Sequence, residues 1–240
     1  MQWSQGARGL WAWRRQRTRA WGAMLDQQEI LLAALSWQQS GTARVLMFEH
    51  LRAPSNLPDA AARDDWLVSI LRRSGEHLPA RQRTMALALR DGRFCHGRLH
   101  WSGPVESSVL EVEVQLEAAA ALGVAPALVG FDFEVQTQPD AATVQVDWVA
   151  CLREELHRWQ GHARSAGWRL PVVEPEHQAA RRAAMCLRGD PLQLWAVSAQ
   201  DWQFSPNAER EIAERDWRQL QASAMWGPLV ACGAALGALR

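Results

Sequence analysis

The chain has 240 residues, of which 48% are hydrophobic and 22% charged, a composition typical of a soluble globular protein with one large or two small domains. Its 26 basic residues, all arginine, balance 26 acidic residues, so no net charge draws the protein to nucleic acid, and we expect no specific nucleic-acid binding. The four cysteines show no C-x-x-C spacing, which favours reduced, buried thiols in a cytosolic protein.

Residues 1–20 form a basic, tryptophan-rich extension. Residues 1–25 hold five arginines and no acidic residue, and tryptophans are interspersed among these arginines. Because tryptophan prefers the membrane interface and arginine attracts anionic lipid, the pattern indicates a segment that contacts a membrane surface or a partner. A disordered leader, or a start codon placed too far upstream, explains the same pattern.

The first predicted elements are three strands, at 21–25, 29–37 and 43–51, separated by short polar turns. A proline-rich loop follows them, and the residue after this loop, Asp59, is expected to cap a helix that begins at residue 60. The alternating apolar run at 83–89 then predicts a buried strand.

A returning strand is predicted at 94–101, after the turn signal Asp91-Gly92. The next segment predicts a glutamate-rich helix that ends at Gly123, followed by a strand at 129–136. Apolar residues at three- and four-residue spacing are expected to form the buried face of this helix: Val109, Val112, Leu116 and Ala119.

The stretch from 143 to 187 has the order strand, helix, strand, helix, which is typical of a layered α/β domain. The strand at 169–174 is expected to lie parallel to the strand at 143–150, through a right-handed crossover. The last predicted elements are a hairpin, a helix and a small-residue helix that can pack closely, at 192–204, 207–221 and 228–239. The longest apolar stretch, residues 225–239, is broken by Pro228 and three glycines and is too short to cross a bilayer.

Five segments follow one another in a recognisable order: TMALAL (84–89), EAAAALG (117–123), FDFEV (131–135), VVEPEHQAARRA (172–183) and GPLVACGAALGALR (227–240). In this order they resemble motifs of the PilM/HofM family of actin-like proteins from type IV pilus and DNA-uptake systems, and the chain resembles a shortened, HofM-like member. The resemblance implies an α/β protein with a truncated actin-like (ribonuclease H-like) fold and an inserted small α+β subdomain.

The same resemblance divides the chain into four parts. They are a basic extension at 1–20, an actin-like core subdomain at 21–80 and 137–190, an inserted subdomain at 81–136, and a reduced remnant of the second lobe with the C-terminal helix at 191–240. Too few residues lie in the last part to build a complete second actin-like lobe.

The resemblance breaks where an actin-like ATPase binds phosphate. The family's first phosphate loop reads D-I-G-S-S, whereas this chain has Met24, Leu25, Asp26, Gln27 and Gln28 at the corresponding positions. Methionine replaces the acid that would position Mg²⁺. An aspartate, which repels phosphate, replaces the glycine that lets backbone N–H groups approach the anion. We therefore expect no nucleotide-binding residue, no catalytic residue and no cofactor.

By resemblance, the family sits on the cytoplasmic face of the inner membrane and holds the short cytoplasmic tail of a PilN-type membrane protein. The expected function is a non-catalytic adaptor of a pilus or DNA-uptake platform. A groove for a peptide needs apolar pockets and a few polar contacts. The candidates lie on or beside the strand at 94–101: Arg93, Phe94, Arg98, Leu99 and Trp101. One face of that strand belongs to the core, so some of these side chains are structural.

Two other functions stay open: an actin-like protein that binds or hydrolyses ATP, and the cytoplasmic module of a type II secretion platform, which shares the actin-like plan. Metal binding is disfavoured, because four residues of strand separate His96 and His100 by about 13 Å. The acidic residues Glu174 and Glu176, with His177, are expected to be solvated side chains at a helix start, favoured there by the helix dipole.

Overall fold

The computed structural model describes residues 19–26, 28–38, 41–102, 106–136, 143–205 and 212–238, so nearly all of the predicted extension lies outside the described residues. The chain forms two compact units. Of the described residues, those from Asp91 to Trp159 form the smaller unit, and those up to Arg90 and from Gln160 onwards form the larger. The four-part division made from the sequence stays a prediction.

The described strands are, in chain order, β1 (Arg19–Leu25), β2 (Glu29–Trp37), β3 (Ala43–Arg52), β4 (Thr84–Leu89), β5 (Cys95–Trp101), β6 (Val129–Gln136), β7 (Val144–Leu152), β8 (Arg169–Pro175) and β9 (Gln203–Phe204). The described helices are α1 (Ala60–Gly75), α2 (Ser107–Leu122), α3 (Arg153–Ser165), α4 (Glu176–Cys186), α5 (Glu214–Gln221) and α6 (Trp226–Gly237). None of these helices combines the length and apolar character that crossing a bilayer requires.

The larger unit contains a six-stranded sheet in the order β8-β4-β1-β2-β3-β9. β2 pairs antiparallel with β1 and β3, whereas β4 pairs parallel with β1 and β8. The prediction that the strand at 169–174 lies parallel to the strand at 143–150 is therefore wrong, because β7 belongs to a different sheet. A strand–helix–strand order predicts a crossover, but it does not say which sheet each strand joins.

The small-residue helix α6 packs closely on the large sheet, as predicted. A methyl group at Gly22 of β1 would lie 2.1 Å from the backbone nitrogen of Ala235 and 2.3 Å from the carbonyl oxygen of Ala231. A methyl group at Gly233 would lie 1.7 Å from the carbonyl oxygen of Ala179 in α4. The backbone of α6 thus touches the backbones of β1 and α4, an approach that only glycine allows at these two positions.

A buried ion pair joins β8, α4 and α6. Glu174, on β8, is only 5% exposed, and the guanidinium of Arg182 in α4 contacts its carboxylate at 2.7 Å and 2.5 Å. The same guanidinium donates a hydrogen bond of 2.8 Å to the carbonyl oxygen of Gly233 in α6. The prediction of a solvated carboxylate at Glu174 is therefore wrong, because its charge is buried and matched by an arginine from the following helix.

The smaller unit is a three-stranded antiparallel sheet, in the order β5-β7-β6, packed against α2. Its core side chains come from both elements: Leu110, Val114, Ala118, Ala119, Val129, Val146, Trp148 and Ala150. The predicted buried face of α2 is wrong at Val112 and Leu116, which are 54% and 50% exposed. Apolar residues occur on several sides of this helix, so their spacing alone does not select the side that contacts the sheet.

Candidate functional site

The strand that carries the predicted partner-binding residues is an edge strand of the small sheet, since β7 is its only neighbour among the described strands. Arg93 ends a short 3-10 turn, and Phe94 connects this turn to β5. The structure therefore brings all five predicted residues together along one segment. Alternation then separates them, because Leu99 and Trp101 face α2 while Arg98 faces the opposite side of the sheet.

The two apolar candidates on β5 contribute to the core of the small unit. Leu99 and Trp101 are half-buried and pack against the cluster formed by α2 and the sheet. Between them and the start of the strand, Gly97 lies against the ring of Trp148, which a methyl group at this glycine would approach to 2.1 Å. Both side chains thus stabilise the unit, and their contact with a partner stays a prediction.

The side of the small sheet opposite α2 is mostly polar, and we call it the outer face. Its side chains form three rows across β5, β7 and β6: His96, Val149 and Asp132; Arg98, Asp147 and Glu134; His100, Gln145 and Gln136. The column on β5 contains the basic side chains, and the column on β6 contains two carboxylates. A ligand on the outer face would therefore meet basic side chains at the β5 edge of the sheet and acidic side chains at the β6 edge.

Asp147, on the central strand, organises the outer face. Its carboxylate accepts hydrogen bonds from Arg98 Nε at 2.7 Å, from Gln145 Nε2 at 3.0 Å and from Gln136 Nε2 at 3.2 Å. The hydrogen bond from Arg98 is the main cause that lowers the pKa of Asp147 below its ordinary value. The sequence analysis missed this residue, although alternation in VQVDWVA puts it on the side opposite Trp148.

The β6 edge of the outer face is acidic. Asp132 is exposed as a residue, yet partial burial of its carboxyl group raises its pKa, and the nearby charge of Glu134 adds to this effect. One carboxylate oxygen of Asp132 accepts a hydrogen bond of 2.9 Å from the backbone N–H of Phe133. Within the described ranges neither carboxylate is paired with an arginine, so no internal guanidinium neutralises this edge.

The other polar candidates are already paired within the small unit. Nη1 of Arg93 lies 3.1 Å from the carboxylate of Glu155, and Arg98 is bound to Asp147 as described above. The Phe94 ring lies beside His96, with 6.5 Å between the ring centroids. To bind Arg93 or Arg98, an acidic group of a partner would therefore have to displace the carboxylate of Glu155 or Asp147.

Replacing Arg98 with alanine is expected to raise the pKa of Asp147, because the main hydrogen bond to the carboxylate is lost. A lowered pKa stabilises the fold above the ordinary aspartate pKa, and this contribution disappears as the pH falls through the folded-state pKa. Both side chains are partly exposed, so the loss at neutral pH should be small, about 0.5 kcal/mol. An NMR titration of the Asp147 carboxyl carbon checks this, and an unchanged pKa would contradict it.

The turn between β1 and β2 is the one that the sequence resemblance aligns with the first phosphate loop of the PilM/HofM family. Met24 is 6% exposed, and the backbone nitrogen of Asp26 donates a 3.0 Å hydrogen bond to the carbonyl oxygen of Glu29. The carboxylate of Asp26 is ion-paired with Arg90, which follows β4. This turn presents a paired carboxylate where a phosphate loop presents glycine amides. In the part of the chain that the structure describes, no group of three or more potential metal ligands occurs.

No family model and no curated protein matches this sequence. Among solved structures, a chain of the "PilM-PilN type IV pilus biogenesis complex" superposes with a TM-score of 0.56 at 19% identity, covering 70% of this chain and 51% of that chain. The cytoplasmic domain of EpsL, an inner-membrane component of the type II secretion system of Vibrio cholerae, superposes with a TM-score of 0.46 at 17% identity. This match covers 67% of this chain and 58% of the EpsL chain. Thermus thermophilus RuvC superposes with a TM-score of 0.38 at 12% identity, covering 91% of this chain and 90% of the RuvC chain.

The chain thus spans about half the length of the pilus-complex chain that it matches. TM-scores below 0.5 do not establish a shared fold, and a sequence identity of 19% bears on the fold alone. The match to the pilus-complex chain, together with the two sheets described above, confirms the predicted fold class: an α/β protein with a truncated actin-like fold and an inserted small α+β subdomain.

Proposed function

We propose that this protein is a non-catalytic adaptor of a type IV pilus assembly platform, and that it binds the cytoplasmic tail of a PilN-type inner-membrane protein. The likeness of its fold to a chain of a PilM–PilN complex is the observation that carries the proposal. The ordered motifs at 84–89, 117–123 and 131–135 support it independently. A HofM-like identity and a link to DNA uptake belong to the same proposal.

In this proposal the adaptor performs no chemistry. A phosphate group that approached the β1–β2 turn would meet the carboxylate of Asp26, and the buried Met24 offers no oxygen ligand to Mg²⁺. Binding of a short peptide needs only apolar contacts and hydrogen-bonding groups, so it makes no demand for ATP hydrolysis.

The free edge of β5, with the adjoining outer face, is the surface to which we assign the tail. An extended peptide that adds to an edge strand gains main-chain hydrogen bonds, and the side chains on alternate positions select its sequence. On the outer face such a peptide would meet His96, Arg98 and His100. Phe94 would offer an apolar contact at the start of the strand, and Arg98 would exchange Asp147 for a carboxylate or carbonyl oxygen of the peptide.

A protein with this role works at the cytoplasmic face of the inner membrane, held there by the tail that it binds. Residues 1–20 add a second, peripheral contact in this proposal, because their arginines and tryptophans suit an anionic membrane interface. Specific nucleic-acid binding has no part in this role.

The direct test is a calorimetric titration of the full chain with a synthetic peptide of the N-terminal cytoplasmic residues of a PilN-type protein from the same organism. We expect one-to-one binding with a Kd on the order of 1–100 μM, since a short peptide loses conformational entropy when it becomes ordered on binding. Arg98→Ala should weaken binding about tenfold, a loss of about 1.4 kcal/mol.

The matched control is Arg158→Ala, which removes an exposed arginine of α3 in the same unit and should leave the Kd within about twofold. No binding at high micromolar peptide would contradict the proposed partner. Equal weakening by the two variants would contradict the assignment of the tail to β5.

A further inference from the structure

The helix α2 carries an exposed apolar stripe on the side turned away from the sheet. Val112 and Leu116, one helical turn or about 6 Å apart, are 54% and 50% exposed. Leu128, in the short turn before β6, is 56% exposed. Among the described residues, six large hydrophobic side chains are exposed, and these are three of them. Single exposed hydrophobic side chains are ordinary on a protein surface, whereas several of them on one small unit indicate an interaction surface.

A hydrogen bond fixes the turn before β6 beside this stripe. Nε2 of Gln115 donates to the carbonyl oxygen of Pro126 at 2.8 Å, which holds the turn Pro126–Leu128 against α2. On a helix surface, residue 115 is a near neighbour of Val112, which lies three residues earlier. We define Val112, Leu116 and Leu128 as the α2 stripe, a preformed surface that needs no rearrangement of the core beneath it.

The unit that carries the α2 stripe is strongly negative. Residues 91–159 contain eleven acidic residues against four arginines, a formal charge of −7, although the whole chain is neutral. Glu113 and Glu117 lie next to the stripe, one turn apart, and Glu106 precedes the helix. In the described part of the chain, none of these three glutamates forms an ion pair or a side-chain hydrogen bond. Their charges are therefore available to a basic partner.

We propose that the α2 stripe binds a basic amphipathic helix of a partner protein. A stripe whose residues recur at four-residue spacing fits the apolar side of a second helix, and unpaired glutamates beside it select arginine or lysine on the flanks of that helix. This surface lies on the opposite side of the small sheet from the outer face, so it does not compete with a peptide bound there. Three side chains bury little area, which makes the complex transient.

The test is a fluorescence-anisotropy titration of the full chain with a labelled synthetic helix of about 18 residues, with leucine on one side and arginine on the other. We expect a Kd on the order of 10 μM that weakens with added salt. The double variant Val112→Ser/Leu116→Ser should weaken binding about tenfold or more. The variant Glu113→Gln/Glu117→Gln should weaken it and reduce its salt dependence. Because these side chains are exposed or half-buried and lie outside the core of the unit, the variants should keep the fold.

The matched controls change the same residue types elsewhere on the small unit. Leu152→Ser removes another exposed leucine, and Glu154→Gln another exposed acid, and both should leave the Kd within about twofold. Equal effects of control and stripe variants would overturn the proposal, as would equal binding of a peptide with glutamate in place of arginine.

Two further outcomes would assign the stripe to a different occupant and so overturn the proposal. If the unlabelled peptide of residues 1–18 displaces the synthetic helix at lower concentration than the unlabelled synthetic helix does, the occupant is this chain's own basic segment. If sedimentation shows dimers that the Val112→Ser/Leu116→Ser variant dissociates, the occupant is a second copy.

Discussion

Replacing Gly22 with valine is expected to destabilise the larger unit by at least about 3 kcal/mol, a large fraction of the stability of an ordinary domain. The first carbon of the new side chain would lie 2.1 Å from the backbone nitrogen of Ala235 and 2.3 Å from the carbonyl oxygen of Ala231. Both obstacles are backbone atoms of α6, so no change of rotamer relieves the clash. The helix would have to leave β1, and the apolar surface between them would be exposed.

Urea denaturation followed by far-UV circular dichroism measures this loss. The matched control is Gly161→Ala in α3, where an added methyl group meets no atom within 4 Å. Since glycine is a poor residue for a helix interior, this control should stabilise the protein by up to about 1 kcal/mol. A Gly22→Val variant as stable as the control would show that α6 does not pack on β1 as described.

Replacing Arg182 with methionine is expected to cost about 3–5 kcal/mol, because it leaves the buried carboxylate of Glu174 without its partner. The substitution also removes the hydrogen bond that the carbonyl oxygen of Gly233 accepts in α6. The variant should unfold at a much lower urea concentration at neutral pH.

A double-mutant comparison separates the charge from the packing. The variant Glu174→Leu/Arg182→Met removes both charges and keeps apolar volume, so it should recover most of the stability that Arg182→Met loses. If the double variant is as unstable as the single one, the cost comes from packing or from the lost hydrogen bond to Gly233. The ion pair would then not be the main interaction at this position.

Local patterns in the sequence predict most elements of the larger unit. The alternating and continuous apolar runs correspond to β1, β2, β3 and β4, and the carboxylate of Asp59 accepts the expected capping hydrogen bond, from the backbone nitrogen of Ala62 at 2.8 Å. These features depend on neighbouring residues, which is why the sequence reveals them.

The errors concern contacts between distant residues. The sheet that β7 joins, the side of α2 that is buried and the partner of Glu174 are each decided by tertiary packing. The predicted hairpin at 192–204 is also wrong. Two 3-10 turns precede β9 instead, because Pro191 and the cap formed by Asp190 begin a turn.

The candidate site was predictable only in part. Alternation along the strand predicts that Arg98 faces the side opposite Leu99 and Trp101, and in the structure they do lie on opposite sides of the sheet. The sequence does not reveal that Asp147 binds Arg98, or that Val112 and Leu116 lie outside the core. The contact between Arg98 and Asp147 depends on the pairing of two strands, since the two residues lie 49 positions apart in the chain. The exposure of Val112 and Leu116 depends on which of the several apolar sides of α2 packs on the sheet.

A crystal structure of the full chain, grown with both the PilN-type tail peptide and Mg-ATP, tests the central claim most directly. Our account predicts an extended peptide along the edge of β5, with Arg98 in contact with it, and no nucleotide at the β1–β2 turn. An ordered triphosphate with Mg²⁺ at that turn, next to Met24 and Asp26, and an empty β5 edge would contradict it.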